Sequence, residues 1–252
     1  MTGADVRVPV VLFDWGDTLI WIPGMLNDPD QHLACVERIY AQAVRPHLDA
    51  EAAEMPVEDF LDAYLQACRR QIAQSKRTLR EHSFEDRFAL ACELAGIRTV
   101  PPRAAFSAMA NALGEAVVQG ARLLDDVPEV IDELAQSYRL GLVSNYPHAP
   151  VIPATLKRFG LLQHFDVIVV SCDTGWMKPH AACYHRAIEA LPAPLGKTMM
   201  VGDDLTNDVK GAKALGLHTV WIAPRASVVD PAVDIHMPGL AELPAHCARV
   251  FA

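Results

Sequence analysis

From about Leu123 onward, short apolar runs alternate with helical stretches, and that alternation is the signature of βαβ units wound into a parallel sheet. The runs at 139–143, 166–170, 198–202 and 217–222 are rich in Val, Ile, Leu and Met, as strands covered on both faces must be. Gly160 after Phe159 and Gly216 after Leu215 stand where a helix ends before the next strand. The run at 8–13, Val-Pro-Val-Val-Leu-Phe, has the same character and has to join the same sheet. Everything between it and the second strand is then an insertion. The Pro-rich tail from Pro224 leaves room for one edge strand near Asp234-Ile235 and a final helix.

The inserted stretch reads differently. From about residue 29 to residue 119 the apolar positions recur at helical spacing, which predicts four amphipathic helices. Leu33, Val36, Tyr40 and Val44 form one stripe; Val57, Phe60, Leu61, Tyr64, Leu65, Cys68 and Ile72 form a second. Phe84, Phe88, Ala91, Cys92 and Ala95 form a third, with Ser83 as N-cap and Gly96 as stop. Phe106, Met109, Ala110, Leu113 and Val117 form a fourth, started by Pro101-Pro102. Each stripe needs an apolar partner, so a small helical bundle is expected. The expected division is a Rossmann-like α/β core at 1–22 and 121–252 around a helical unit at 23–120.

A chain of 252 residues organised this way buries a sizeable core. Its formal charge of −9 argues against nucleic acid or an anionic membrane surface as main partner, since both are held by clustered Lys and Arg. An anionic substrate must therefore meet a locally positive site. The six cysteines form no C-x-x-C pair, and Cys68 and Cys92 fall on apolar helical positions, so reduced core thiols in a cytoplasmic protein are expected. No apolar run approaches the length of a membrane span.

Four segments carry chemistry. Asp14-Trp15-Gly16-Asp17-Thr18 follows the first strand directly, presenting a carboxylate where α/β enzymes place their reactive groups. Ser144-Asn145 follows the second strand, Lys178 precedes Pro179, and Gly202-Asp203-Asp204-Leu205-Thr206-Asn207-Asp208 closes the strand at 198–202. One such segment alone reads equally well as a polar turn. Together they can converge on one sheet edge, binding a hard divalent cation through oxygens and holding a phosphoryl group against a nucleophile. Asn207 or Asp208 equally suits the N-cap of the helix that runs to Leu215. Rival motifs fail on spacing. Leu191 stands where a Walker loop ending at Gly196-Lys197-Thr198 needs glycine, and Asp208 replaces the sixth-position glycine of an EF-hand. His180 and His185 are too far apart for a zinc pair and read as helix-start and helix-surface residues.

In this order the four segments resemble the haloacid dehalogenase (HAD) superfamily, subfamily I, with the insertion at the position of its helical C1-type cap. The resemblance implies a nucleophilic Asp14 that takes up the phosphoryl group as an aspartyl phosphate. It implies Thr18, Ser144 and Asn145 around that group, Lys178 as the neutralising cation, and Mg²⁺ held by Asp14, the Gly16 carbonyl, Asp203 and, as a supporting carboxylate, Asp208. The implied activity is a magnesium-dependent phosphatase of a small anionic phosphorylated metabolite.

Phosphatases of the family carry a general acid two residues after the nucleophile, and here that residue is Gly16. Asp17, one residue later, is the candidate replacement. Two related chemistries lack the acid as well: haloacid dehalogenation, which needs no magnesium carboxylate, and phosphonate cleavage, which uses a lysine of the cap. The one lysine of the insertion, Lys76, lies in the basic stretch Arg69–Arg80, which reads as a solvated helix face or as a surface for the distal anion of a substrate. A non-catalytic phosphate-binding protein is the alternative from another class.

Overall fold

The computed structural model describes residues 8–22, 29–49, 54–224 and 230–252. Strands β1 (Val10–Phe13), β4 (Arg139–Ser144), β5 (Phe165–Val170), β6 (Thr198–Gly202), β7 (His218–Ile222) and β8 (Ile235–Met237) form one six-stranded parallel sheet in the order β5-β4-β1-β6-β7-β8. The first strand is therefore central. Its odd and even residues feed opposite faces: Val11 and Phe13 join the larger apolar cluster, while Val10 and Leu12 join a second with Val143, Val169 and Met200. Chain order switches sides at β1, between β4 and β6, and the crevice at such a switch is where open α/β sheets bind ligands.

Among the described residues, four α-helices lie between the first two strands of this sheet: α1 (Pro29–Ala43), α2 (Val57–Thr78), α3 (Phe84–Leu94) and α4 (Arg103–Gly120). They pack through the predicted stripes, with Tyr40 stacked on Phe60 at 3.9 Å and Tyr64 on Phe88 at 5.4 Å. Ser83 starts α3 in a reciprocal capping box with Asp86, and Gly96 follows its end at φ +74°. Where the chain leaves for the helices and returns, β2 (Ile20–Trp21) pairs antiparallel with β3 (Arg122–Leu123). The sequence carries no sign of this pair, because two-residue strands show no periodicity. Helices α5 (Val127–Ala135), α6 (Val151–Arg158), α7 (Ala181–Ala190) and the terminal α8 (Leu243–Val250) complete the expected alternation.

The second stripe ends differently from expectation. Gln71 and Ser75 are buried on the last turns of α2, whereas Ile72 is 51% exposed. The helix rotates its polar positions inward because it faces a cavity there rather than apolar core. Past its end, Leu79 adopts φ 55°, a left-handed conformation costly for a branched side chain. The turn lets Leu79 accept from the Met177 N–H at 2.8 Å and the Glu81 N–H donate to the Gly175 carbonyl at 3.2 Å. Arg80 lies 3.6 Å over the Trp176 ring, which stacks on His180 at 3.8 Å. The inserted helices thus grip the loop that carries Lys178.

Candidate active site

Phe13 is in register with Leu142 and Val201, so the residues just beyond the ends of β4, β1 and β6 emerge at one edge. The Asp14 N–H still donates to the Val201 carbonyl at 2.9 Å, fixing the first residue past β1. Lys178, 2% exposed, is held from three sides: its Nζ donates to Asp14 Oδ1 at 2.6 Å, to Asp208 Oδ1 at 2.6 Å and to the Val143 carbonyl at 2.7 Å. Burial alone would lower its pKa, but Asp14 and then Asp208 outweigh that and raise it, so the ammonium stays charged. Asn145 reaches the same loop. Its Oδ1 accepts from the Lys178 N–H at 2.6 Å and its Nδ2 donates to the Lys178 carbonyl at 3.0 Å, so both ends of the amide position the lysine's backbone.

The acidic side is built from β6 and the loop beyond its end. The Trp221 indole N–H donates to the Asp203 carbonyl at 2.8 Å, and the Thr18 hydroxyl to Asp203 Oδ1 at 3.3 Å. Burial, then the charges of Asp14 and Asp17, push the Asp203 carboxyl up to about 6. Burial likewise pushes Asp208 up, against the opposing pull of Lys178. One oxygen of each of Asp14, Asp203 and Asp208 falls within 4.8 Å of the others. The second Asp208 oxygen accepts from the Asp204 N–H at 3.0 Å. The N-cap after β6 is Asp204, not Asn207 or Asp208: its Oδ1 accepts from the N–H groups of Thr206 and Asn207, both at 2.8 Å. Asp208 is turned inward by Lys178 instead. It lies so close to Gly202 that a Cβ there would overlap its side chain. Gly202→Ala is therefore expected to displace Asp208 and Lys178 and to cost about 1–3 kcal/mol, read as a lowered chemical-denaturation midpoint. Unchanged stability would remove the steric argument.

Asp14, Trp15, Gly16, Ser144, Asn145, Lys178, Asp203 and Asp208 share the wall of a cavity of about 190 Å³. Ser144 is 4% exposed, and its hydroxyl has no protein partner among the described residues. Thr18 is fully buried behind Asp203, outside that wall. Asp17 is exposed, with φ 53° and its N–H donating to the Ile20 carbonyl at 2.8 Å, and it too lies outside the wall. Burial, then Asp14, raise its pKa. His180 caps α7 through Nδ1 at 3.2 Å and His185 is exposed on it, as expected.

A second cavity of about 510 Å³ opens beside the first and shares Asn145, Lys178, Asp204 and Asn207 with it. Gln71, Ser75, Lys76 and Arg87 of the inserted helices, and His82 of the loop between α2 and α3, line its far side. Of these only Lys76 stood out in the sequence. The available signal was a Gln and a Ser four residues apart, continuing the buried face of α2 with polar side chains.

The site joins the Asp14 carboxylate, a fixed ammonium, a hydroxyl without a protein partner and further carboxylates. That set can accept an anion at Asp14 once cations offset the repulsion. The sequence profile of the haloacid dehalogenase-like hydrolases matches residues 8–216. A ribulose-1,5-bisphosphate 5-phosphatase of Halopiger xanaduensis is 31% identical over 170 residues, 66% of this chain and 69% of that one. The HAD-hydrolase YfnB of Bacillus subtilis is 34% identical over 108 residues, 42% of this chain and 45% of its own length, so that match spans under half of the relative. Its magnesium-bound crystal structure superposes with a TM-score of 0.59 at 22% identity, covering 96% of this chain and 99% of that one. A 2-haloacid dehalogenase of Pseudomonas syringae superposes with a TM-score of 0.69 at 22% identity, covering 97% and 100%. Both superpositions concern the fold. The shared profile and the site at the switch of the sheet identify the chain as a hydrolase of the haloacid dehalogenase-like family.

Proposed function

We propose that the protein is a magnesium-dependent phosphatase of small phosphate monoesters, working through an aspartyl phosphate on Asp14. The observation that carries this reading is the buried Lys178 ammonium 2.6 Å from Asp14, on the wall of a cavity that also holds Ser144 and Asp203. A carboxylate oxygen of Asp14 attacks phosphorus, the bond from phosphorus to the ester oxygen breaks, and the leaving oxygen takes up a proton. Water then cleaves the acyl phosphate, releasing inorganic phosphate and restoring Asp14. Ser144 donates to a phosphoryl oxygen, Lys178 offsets the charge gathering on Asp14 and phosphate, Asn145 fixes the lysine's backbone, and Thr18 acts through Asp203.

The donor set fits Mg²⁺. Among the described residues, Asp14, Asp203, Asp204 and Asp208 line the smaller cavity against one cation, Lys178, and a phosphate dianion adds to that imbalance. Asp14, the Gly16 carbonyl and Asp203 would hold the ion, with Asp208 in support, all oxygen donors as a hard cation requires. When bound, it supplies charge neutralisation and polarises the phosphoryl group. Residues 23–120 would then act as a C1-type cap over a core of 1–22 and 121–252, excluding water from the reaction. The ribulose-bisphosphate relative, named for a phosphatase, supports the substrate class.

The test is turnover of a phosphate monoester panel with and without Mg²⁺, with acid quenching to trap labelled protein. Asp203→Asn is expected to reduce activation by Mg²⁺ about 100-fold or more, against a few-fold for Asp204→Asn, which loses a charge but keeps an oxygen to cap the helix. Equal effects would show the wrong carboxylate has been assigned. Stability gives an independent reading. The Asp203 pKa in the fold is about 6, above the ordinary aspartate value of 3.8, so its protonated form is favoured in the native state. Without divalent cation, the contribution of Asp203 to stability is fully present below about pH 4 and is lost as pH rises through 6. Allowing for solvent screening, the loss is about 1–2 kcal/mol, or a few °C in Tm. Asp203→Asn is expected to remove that decline together with the stabilisation of wild type by Mg²⁺ at pH 7. An identical pH profile in the variant would contradict the assignment.

A further inference from the structure

The larger cavity holds two cations, Arg87 and Lys76, that no carboxylate pairs with among the described residues. Arg87 on α3 donates from Nε to Gln71 Oε1 at 3.1 Å, lies 5.3 Å over the Phe84 ring and has the Tyr64 hydroxyl beside it. All three neighbours are uncharged. Among the described residues no carboxylate forms an ion pair with Arg87 or with Lys76 at the cavity's exposed rim. Gln71 is 5% exposed, and a buried amide on a helix is costly unless its partner matters. A second observation points the same way: His82 Nε2 is buried in the same wall with no hydrogen-bond partner.

The acids of that wall are already engaged. Glu81 accepts from the Ser171 hydroxyl and from the His82 N–H, and Asp204 accepts from the N–H groups of Thr206 and Asn207. At about 190 Å³ the reaction cavity accommodates a phosphoryl group, and the leaving portion of a substrate must extend past Asn145 and Lys178 into the larger space. There it meets a guanidinium fork held in one orientation, the arrangement suited to two-point binding of a carboxylate or phosphate.

We propose that the substrate carries a second anionic group on its leaving portion, bound by Arg87 with His82 and Lys76, and that Gln71 is the positioning residue that aims Arg87. The proposal deepens the phosphatase reading and rests on it for the identity of the reacting end.

Three probes with the same three-carbon leaving chain test it: propyl phosphate, 3-phosphooxypropanoate and propane-1,3-diol bisphosphate. For wild type, kcat/KM for at least one doubly anionic probe is expected to exceed that for propyl phosphate by about 10- to 100-fold. The carboxylate and bisphosphate arms show which anion the site takes. In Arg87→Gln that ratio is expected to collapse to within about 3-fold of unity, and Arg87→Lys, which keeps the charge without the fork, to give an intermediate ratio. The ratio is measured on one preparation, so partial loss of folded protein cancels. Should Arg87→Gln not fold, Gln71→Leu reads the same ratio with the guanidinium present but unaimed, and a rise in KM for the doubly anionic probe is expected. A wild-type ratio near unity, or a ratio unchanged in the variants, overturns the proposal. Calorimetric binding of the three probes to Asp14→Asn protein separates the two readings. A preference for the doubly anionic probes without turnover by wild type rejects the phosphatase and keeps the anion site, while turnover with no such preference does the reverse.

Discussion

Asp14→Asn is expected to lower kcat/KM on any phosphate monoester about 10⁴-fold or more and to abolish trapping of labelled phosphate on the protein. An amide oxygen is a far weaker nucleophile than a carboxylate, and the other carboxylates described on the cavity wall are already engaged: Asp208 through both oxygens, Asp203 by the Thr18 hydroxyl behind it, and Asp204 through both oxygens at the helix start it caps. The variant is expected to fold, because Lys178 keeps Asp208 and the Val143 carbonyl as partners when Asp14 loses its charge. Circular dichroism and the melting temperature check that. Turnover undiminished in folded Asp14→Asn protein would end the aspartyl-phosphate mechanism, whatever the fate of the anion site above it.

The parts of this molecule legible in its sequence are those where one local rule dominates. The strands declared themselves because both sheet faces are covered, which forces nearly continuous apolar runs, and α1, α3 and α4 because each buries one stripe. Asp14, Ser144 and Asp203 could be located because each directly follows such a run. What escaped is set by contacts distant in sequence. Gln71 and Arg87 lie 16 residues apart on different helices, and nothing local in either segment marks their hydrogen bond. Asp204 and Asp208 are chemically identical candidates for a helix cap, and the choice falls to Lys178, which draws Asp208 inward from a loop 30 residues earlier. Ile72 looked like core because it continues an apolar stripe, yet α2 overhangs a cavity at that turn.

Gly16→Asp is expected to gain activity. A positioned general acid contributes about 10²- to 10⁴-fold, and the cavity wall carries no such group at Gly16, two residues beyond Asp14. Without it, the rate should depend steeply on how readily the leaving group departs unprotonated, so aryl phosphates should outrun alkyl phosphates in wild type. The space for an acid exists: a Cβ at Gly16 would meet no heavy atom within 4 Å. A carboxyl added there joins the wall shared by Asp14 and Ser144, and its gain should be confined to alkyl esters, flattening the leaving-group series. Asp17→Asn is the companion variant. Asp17 sits in a left-handed turn outside that wall, with burial and Asp14 holding its carboxyl protonated to higher pH than usual. A loss in Asp17→Asn restricted to alkyl esters would assign it the proton, and a small uniform loss would leave it structural. The measurement is single-turnover kcat/KM over an alkyl-to-aryl series, so that product release does not mask the chemistry. A steep wild-type series that Gly16→Asp leaves unchanged would mean the new carboxyl does not reach the leaving oxygen. A flat wild-type series unaffected by either variant would mean that the proton comes from the substrate or from the inserted segment, where His82 Nε2 is a buried nitrogen without a partner beside the larger cavity.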